Sequence, residues 1–208
     1  SALSRRFGAR SLVRIGLVVV FASALLLLGT IEPKLDDSGF LVAMAVLGSG
    51  IGLVVSQLGN VVQSSVGDDD RSEAGGIQNT ALQLGSSLGT AVLGAIVITG
   101  LLAAFSVQVE NNPEISASTK NEVGVAVSSG GSFVASDDVR KAAEQAGVSD
   151  SDTENVVAEY EDAQLQALKT ALLGAALLTL LALPFTRNLP TRPLGQAGAA
   201  EPAAASSA

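Results

Sequence analysis

The chain contains no cysteine and no histidine. That removes disulfides, thiolate nucleophiles and thiolate metal ligands, together with the commonest metal ligand and the side chain best suited to proton transfer near neutral pH. What remains for chemistry is uncharged polarity set into apolar surroundings. The stretch Asn79 to Ala95, NTALQLGSSLGTAVLGA, places Asn79, Gln83, Ser86, Ser87, Thr90 and Gly94 within an arc of about 100° when wound as a helix at about 100° per residue. The preceding apolar stretch repeats the pattern, with Ser49, Ser56, Asn60 and Gln63 on one helical face. Ser56, Asn60, Gln63, Asn79, Gln83, Ser87 and Thr90 are therefore candidates to line a water-accessible pathway or a domain interface. Taken singly, each reads more readily as an interhelical hydrogen bond contributing about 0.6 to 2 kcal/mol; the alignment of two stripes favours the pathway or interface.

Glycines accompany both stripes on other faces. Gly85 and Gly89 are spaced as small-xxx-small, and Gly48, Gly52 and Gly59 cluster beside the first stripe; both sets predict grooves where another helix backbone approaches closely. The string GSGIG, Gly48 to Gly52, has neither phosphate-loop spacing nor a following Lys-Ser or Lys-Thr. The run Asp68 to Asp70 reads as a solvated loop, since consecutive loop residues seldom converge on one ion. Catalytic dyads and nucleophile motifs are absent, so the sequence predicts no enzyme, no metal site and no cofactor.

The elements that carry these stripes are set by composition. The 208 residues are 48% hydrophobic and 15% charged, with no tryptophan and one tyrosine, and runs such as Ile15 to Ile31 carry no charge. A bilayer needs roughly 20 mostly apolar residues per helix. Four spans are predicted, at about 12–31, 40–62, 75–107 and 165–185, giving an all-α membrane protein in a membrane region 12–186. A signal peptide is the rival for the first span, but the only small-x-small triplet, Ala22 to Ala24, lies inside a run that continues to Ile31. Arg5, Arg6, Arg10 and Arg14 lead into the first span and Arg187 and Arg192 follow the last, which by the positive-inside rule puts both termini in the cytoplasm. Residues 1–11 form a cytoplasmic basic segment, 187–208 a disordered cytoplasmic tail, and the acidic 106–164 a long extracellular loop. Within that loop SDDVRKAAEQAG reads as a short helix with Ser136 as N-cap and Gly147 past its end. A second helix starts near SDTENVV and runs into the fourth span, and residues between Asn111 and Ser136 are readable as hairpin or disorder. The net charge of −8 sits mainly in this loop, and no nucleic acid partner is expected. Spans one and four, poor in polar residues, are expected to face lipid. The chain opens without methionine, its only Met being Met44, and reads as a fragment.

GSGIGLVV in the second span, a short loop and then EAGGIQNTALQLGSSLGTAVLGA together resemble the major facilitator superfamily, specifically its fourteen-helix drug:proton antiporters. The resemblance is most specific over Gly48 to Ala95. Family members commonly have a proline after the glycine string, where this chain reads VVSQLGN, and an arginine before the glutamine of the next helix, where Leu82 stands. The resemblance implies that the four spans are part of the C-terminal half of a major facilitator fold, with a long extracellular loop before the last helix. The parent would be a proton-coupled multidrug efflux pump of the cell membrane, multi-pass and working by alternating access. Its partners would be the lipid bilayer, the missing N-terminal transporter portion, and a small-molecule substrate and protons handled by the intact protein. Two other functions fit the residues: a membrane-anchored sensor or binding protein that uses 106–164, and a small oligomeric four-span exporter.

Overall fold

The computed structural model describes residues 8–31, 38–128, 130 and 133–189. All regular structure among them is helical: α1 (Ala9–Thr30), α2 (Ser38–Ser64), α3 (Arg71–Asn111), α4 (Ala117–Ser128), α5 (Ser136–Gln145), α6 (Asp150–Ala182) and a closing 3-10 turn (Pro184–Asn188). Four of these, α1, α2, α3 and α6 with its closing turn, are long and apolar enough to cross a membrane, as the hydropathy runs predict. The basic residues Arg5, Arg6 and Arg192, residues 32–37 and the tail from 190 lie outside the described residues. The 41 residues of α3 span about 60 Å at 1.5 Å per residue, about twice a hydrocarbon core. Its end is chemical: Pro113 cannot continue the helix, and the Asn112 side-chain oxygen accepts the Glu114 N–H at 2.8 Å in an Asx-type turn.

The chain divides into two compact units. The first contains the described parts of 1–27, 38–88 and 176–208. Its central contact is between α1 and α2. A Cβ added at Gly16 would lie 2.7 Å from Val54 Cγ2 and 3.1 Å from the Gly50 carbonyl oxygen; one added at Gly50 would lie 3.0 Å from the Val20 backbone nitrogen. Only glycine permits that approach at either position. The same side of α1 buries Ala9, Leu12, Val13, Ser23, Ala24 and Leu27, and Ser23, fully buried, returns its hydroxyl to the Val20 carbonyl at 2.8 Å. Span one is the most enclosed of the four within this chain: 33% of its apolar stretch is buried, against 11% for each of the others. Its small residues, aligned on one side, are the reason.

At the arginine-bearing end, α1 is tied to the last turn of the unit. Arg10 donates through Nε to the Leu189 carbonyl at 2.9 Å and through Nη2 to the Arg187 carbonyl. Arg14 Nε donates to Thr186 Oγ1 at 2.9 Å. Guanidinium groups thus satisfy carbonyls that a helix terminus leaves without partners. Between α2 and α3, Gln63 Nε2 lies 3.5 Å from the Cβ position of Gly75, and Gln78 Nε2 lies 3.6 Å from that of Gly59. Each glutamine rests over a glycine of the other helix.

The second unit contains the described parts of 28–37 and 89–175. The described part of 106–164 is largely helical: α5 and the start of α6 lie where helices are expected, and α4 occupies the stretch left open between hairpin and disorder. A core of Leu101, Phe105, Val109, Ile115, Val156 and Tyr160 joins α3, α4 and α6, with the Phe105 and Tyr160 rings edge to face at 5.3 Å. Gly100 and Ala167 let α3 and α6 approach, the Gly100 Cβ position being 3.8 Å from the Ala167 Cα. The α5 helix ends as expected, in a Schellman motif: Gly147 has φ +77, Val148 N–H donates to Ala143 O at 3.1 Å and Gly147 N–H to Glu144 O at 3.1 Å. Its start differs from expectation. Ser136 is the first helical residue, and Ala135 occupies the N-cap in extended conformation with no side-chain cap.

Asp152, in the first turn of α6 and ahead of the apolar stretch that begins at Leu165, joins two helix starts. Its carboxylate accepts the Ser116 N–H at 3.1 Å and the Thr119 hydroxyl at 2.8 Å, while its own N–H donates to Ser149 Oγ at 3.3 Å. Ser116 in turn caps α4 through the Thr119 N–H. Hydrogen bonding by Ser116 first, then by Thr119, holds the Asp152 carboxyl below its ordinary value, against the opposing effect of burial.

Two outcomes follow. Gly50→Leu should lower the yield and melting temperature of the folded chain in detergent, a cost of about 1 to 3 kcal/mol for overpacking; Gly85→Leu, which meets nothing within 4 Å in this chain, should leave both unchanged. A normal melting temperature for Gly50→Leu would contradict the α1–α2 contact. For Asp152, a lowered folded-state pKa means stabilisation that is complete above the ordinary carboxylate value and lost as pH falls through the folded value. Wild type should therefore exceed Asp152→Asn in thermal stability at neutral pH by a constant margin, and the margin should shrink to zero in acid; a margin that widened on acidification would contradict the assigned hydrogen bonds.

Candidate functional site

All seven polar candidates are exposed. Ser56, Asn60 and Gln63 on α2, and Asn79, Gln83 and Ser87 on α3, stand on surfaces that the first unit does not cover; Thr90, further along α3, is exposed as well. Hydroxyls of these two helices can satisfy themselves. Ser49 Oγ donates to Val46 O at 2.7 Å, Thr80 Oγ1 to Gly76 O at 3.0 Å and Ser87 Oγ to Leu84 O at 3.0 Å, the back-bonding that serine and threonine adopt inside helices. Amides cannot be dealt with so locally. No side-chain hydrogen bond joins Asn60, Asn79 or Gln83 to another described residue. In hydrocarbon such a group costs several kcal/mol unless protein or water meets it.

The structure separates the glycines that the pattern grouped. A Cβ at Gly48, Gly52, Gly85 or Gly89 would meet nothing within 4 Å. Helical winding explains the difference within the glycine string: Gly48 and Gly52 lie one turn apart on one side of α2, while Gly50 is on the opposite side, where α1 packs. The close approach occurs at Gly16 and Gly50, and the four other glycines stand open alongside the polar residues.

Sequence reasoning passed over Gln57. It is 3% exposed, and its Oε1 is buried without a partner. The signal was available, because Gln57 falls on the same side of α2 as Gly50 and Val54 at helical spacing, but that side became distinguishable only once its partner was known. Among the described residues no three His, Cys, Asp or Glu side chains come together as a metal site. Asp68 pairs with Arg71 at 2.8 Å, both largely exposed, so the acidic run begins α3 as a solvated turn.

The second unit holds a different feature, a cavity of about 420 Å³ bordered by α3, α4, α5 and α6. Its walls are apolar, with Phe105, Val123, Val139, Val156 and Tyr160 prominent. The Tyr160 hydroxyl is committed to the segment before α5, accepting the Val134 N–H at 3.0 Å and donating to the Val134 carbonyl at 3.2 Å. Gln164 Nε2 donates to the same carbonyl at 2.8 Å. That pair fixes one edge of the opening. Comparison of the chain with protein-family models, curated proteins and solved structures returns no match.

Proposed function

We propose that this chain is the C-terminal part of a secondary active transporter, a proton-coupled exporter of small molecules working by alternating access between two halves of a larger membrane bundle. One observation carries the reading: two adjacent apolar spans turn their unpartnered amides, Asn60, Asn79 and Gln83, away from the surfaces on which this chain packs. In a bilayer those amides require water or further helices, and a transport route bordered by a second bundle supplies both. The open glycines Gly48, Gly52, Gly85 and Gly89 suit the same arrangement, since they leave room for helices of the missing portion to approach. The sequence resemblance over Gly48 to Ala95 gives the transporter class. Coupling through a membrane carboxylate would reside in that missing portion, for the apolar stretches of the four spans carry no Asp or Glu. The alternative, binding or sensing through residues 106–164, is favoured by the cavity of the second unit; one chain can carry both.

Cysteine accessibility in the complete gene product tests the route. Introduced at Asn79 and Gln83, cysteines should react with small hydrophilic thiol reagents, and their reactivity should change with the proton gradient; Thr90→Cys, deeper by the expected topology, should react more slowly. Inert positions in a demonstrably active exporter would reduce the stripe to helix packing.

Orientation has its own test. With both termini and the Asp68 to Asp70 turn in the cytoplasm, an impermeant thiol reagent outside intact cells should label Ser151→Cys but not Asp69→Cys. Labelling of Asp69→Cys would reverse the topology.

A further inference from the structure

We infer that the cavity of the second unit is a binding site for a small organic cation with an apolar body. The inference does not rest on the transport reading, since the site is built wholly from residues 102–160. Its size, about 420 Å³, falls within the roughly 300 to 1,000 Å³ typical of small-molecule pockets. The manner of its construction is equally informative. Helix α5 buries none of its residues, yet sends Val139, Ala142 and Ala143 to the cavity wall, joined by its C-cap Ala146. A ten-residue helix has little stability of its own, and small alanines on its inner side hold the space open where leucines would close it. A guest lying between α5 and the core would bury the apolar sides of both.

Polar groups at the wall decide what kind of guest. Inside, the hydroxyls are engaged: Thr119 donates to Asp152 at 2.8 Å, and Tyr160 bonds Val134 in both directions. The interior thus asks for hydrocarbon. Among the described residues, the charged side chains on the wall are Glu122 and Asp138, both exposed and so placed at the mouth. Asp138 has only a 3.5 Å contact with the exposed Lys141, which is not on the wall. The Glu122 and Asp138 carboxylates on the wall, the second sharing its charge with Lys141, favour a positive head group over an anionic one. Being exposed, they should supply preference and not the bulk of affinity.

The chain carries its own reporter, because Tyr160 is its single tyrosine and tryptophan is absent. Tetrabutylammonium titrated into the full chain in neutral maltoside micelles should change tyrosine emission saturably, and octanesulfonate should not. Filling the space from either side, with Ala143→Leu on α5 or Val123→Phe on α4, should weaken tetrabutylammonium binding at least about tenfold while helical content is kept. Joint Glu122→Gln and Asp138→Asn should weaken it about two- to fivefold and narrow the preference over octanesulfonate, the range expected of exposed charges. The proposal is overturned if wild type gives no saturable response, if octanesulfonate binds as tightly as the cation, or if a folded filling variant binds like wild type. Should one filling variant lose its helical signal the other decides, and the two wild-type titrations stand regardless.

Discussion

Apolar helices gain nothing by leaving lipid tails for one another, so their association in a bilayer has to come from shape. In the first unit that shape is the Gly16–Gly50 crossing, where a backbone carbonyl of α2 and a backbone nitrogen of α1 come within reach of each other's missing Cβ. Much of the unit follows. With α1 seated so closely, its Ala9, Leu12, Val13, Ser23, Ala24 and Leu27 become a buried stripe, although nothing in its nearly uniform hydrophobicity marks that side out. Arg10 and Arg14, which serve in the sequence as topological markers, become structural, Arg10 by closing the carbonyl terminus of the last helical turn and Arg14 by donating to the Thr186 hydroxyl. Because α2 spends one side on α1, its polar side is left to whatever else the membrane contains.

The second unit is governed by a different solvent logic. Its core contains the edge-to-face pair of Phe105 and Tyr160 and is fastened by side-chain bonds of the kind water-exposed helices use: Asn112 to Glu159 at 2.8 Å, Gln108 to Gln166 at 3.2 Å and Lys120 to the Glu110 carbonyl at 2.9 Å. Asp152 has the most connections among them. Its backbone N–H is capped by Ser149 at the start of its own helix and its carboxylate holds the start of α4, so a single residue links two helix starts. This explains how α4, ASTKNEVGVAVS, exists as a helix at all. Its glycine and β-branched residues disfavour helix, and tertiary anchorage at Ser116 and packing of Val123 and Val127 against the core prevail.

Legibility of the sequence divides along the same line. Four spans, the α5 terminus at Gly147 and the run of α6 into the last span follow from hydropathy, Gly chemistry and periodicity, which are local properties. The α4 helix did not follow, because its stability is not local. Among the site residues, amides and hydroxyls were recognisable by type and spacing. Which glycines would be in contact was not, since a stripe of small residues announces that a partner fits and says nothing about whether one is present. Gln57 shows the limit most clearly: it differs from Asn60 by three positions, yet one is 3% exposed and the other stands open, a distinction that packing makes and the local sequence does not.

Within the polar stripe the side chains are not equivalent, and their hydrogen-bonding chemistry ranks them. A serine or threonine hydroxyl in a helix can return its proton to a carbonyl one turn back, as Ser49, Thr80 and Ser87 do, and so meets much of its need without any partner. A primary amide has two donors and an acceptor with two lone pairs, more than its own helix can satisfy. Gln63 and Gln78 lie over glycines of the neighbouring helix, which gives them room but no hydrogen-bond partner. Asn60, Asn79 and Gln83 have no such place. The requirement for water or a further protein surface therefore falls on the exposed amides Asn60, Gln63, Asn79 and Gln83, and the hydroxyls around them set the width of a polar face that the amides oblige to be filled.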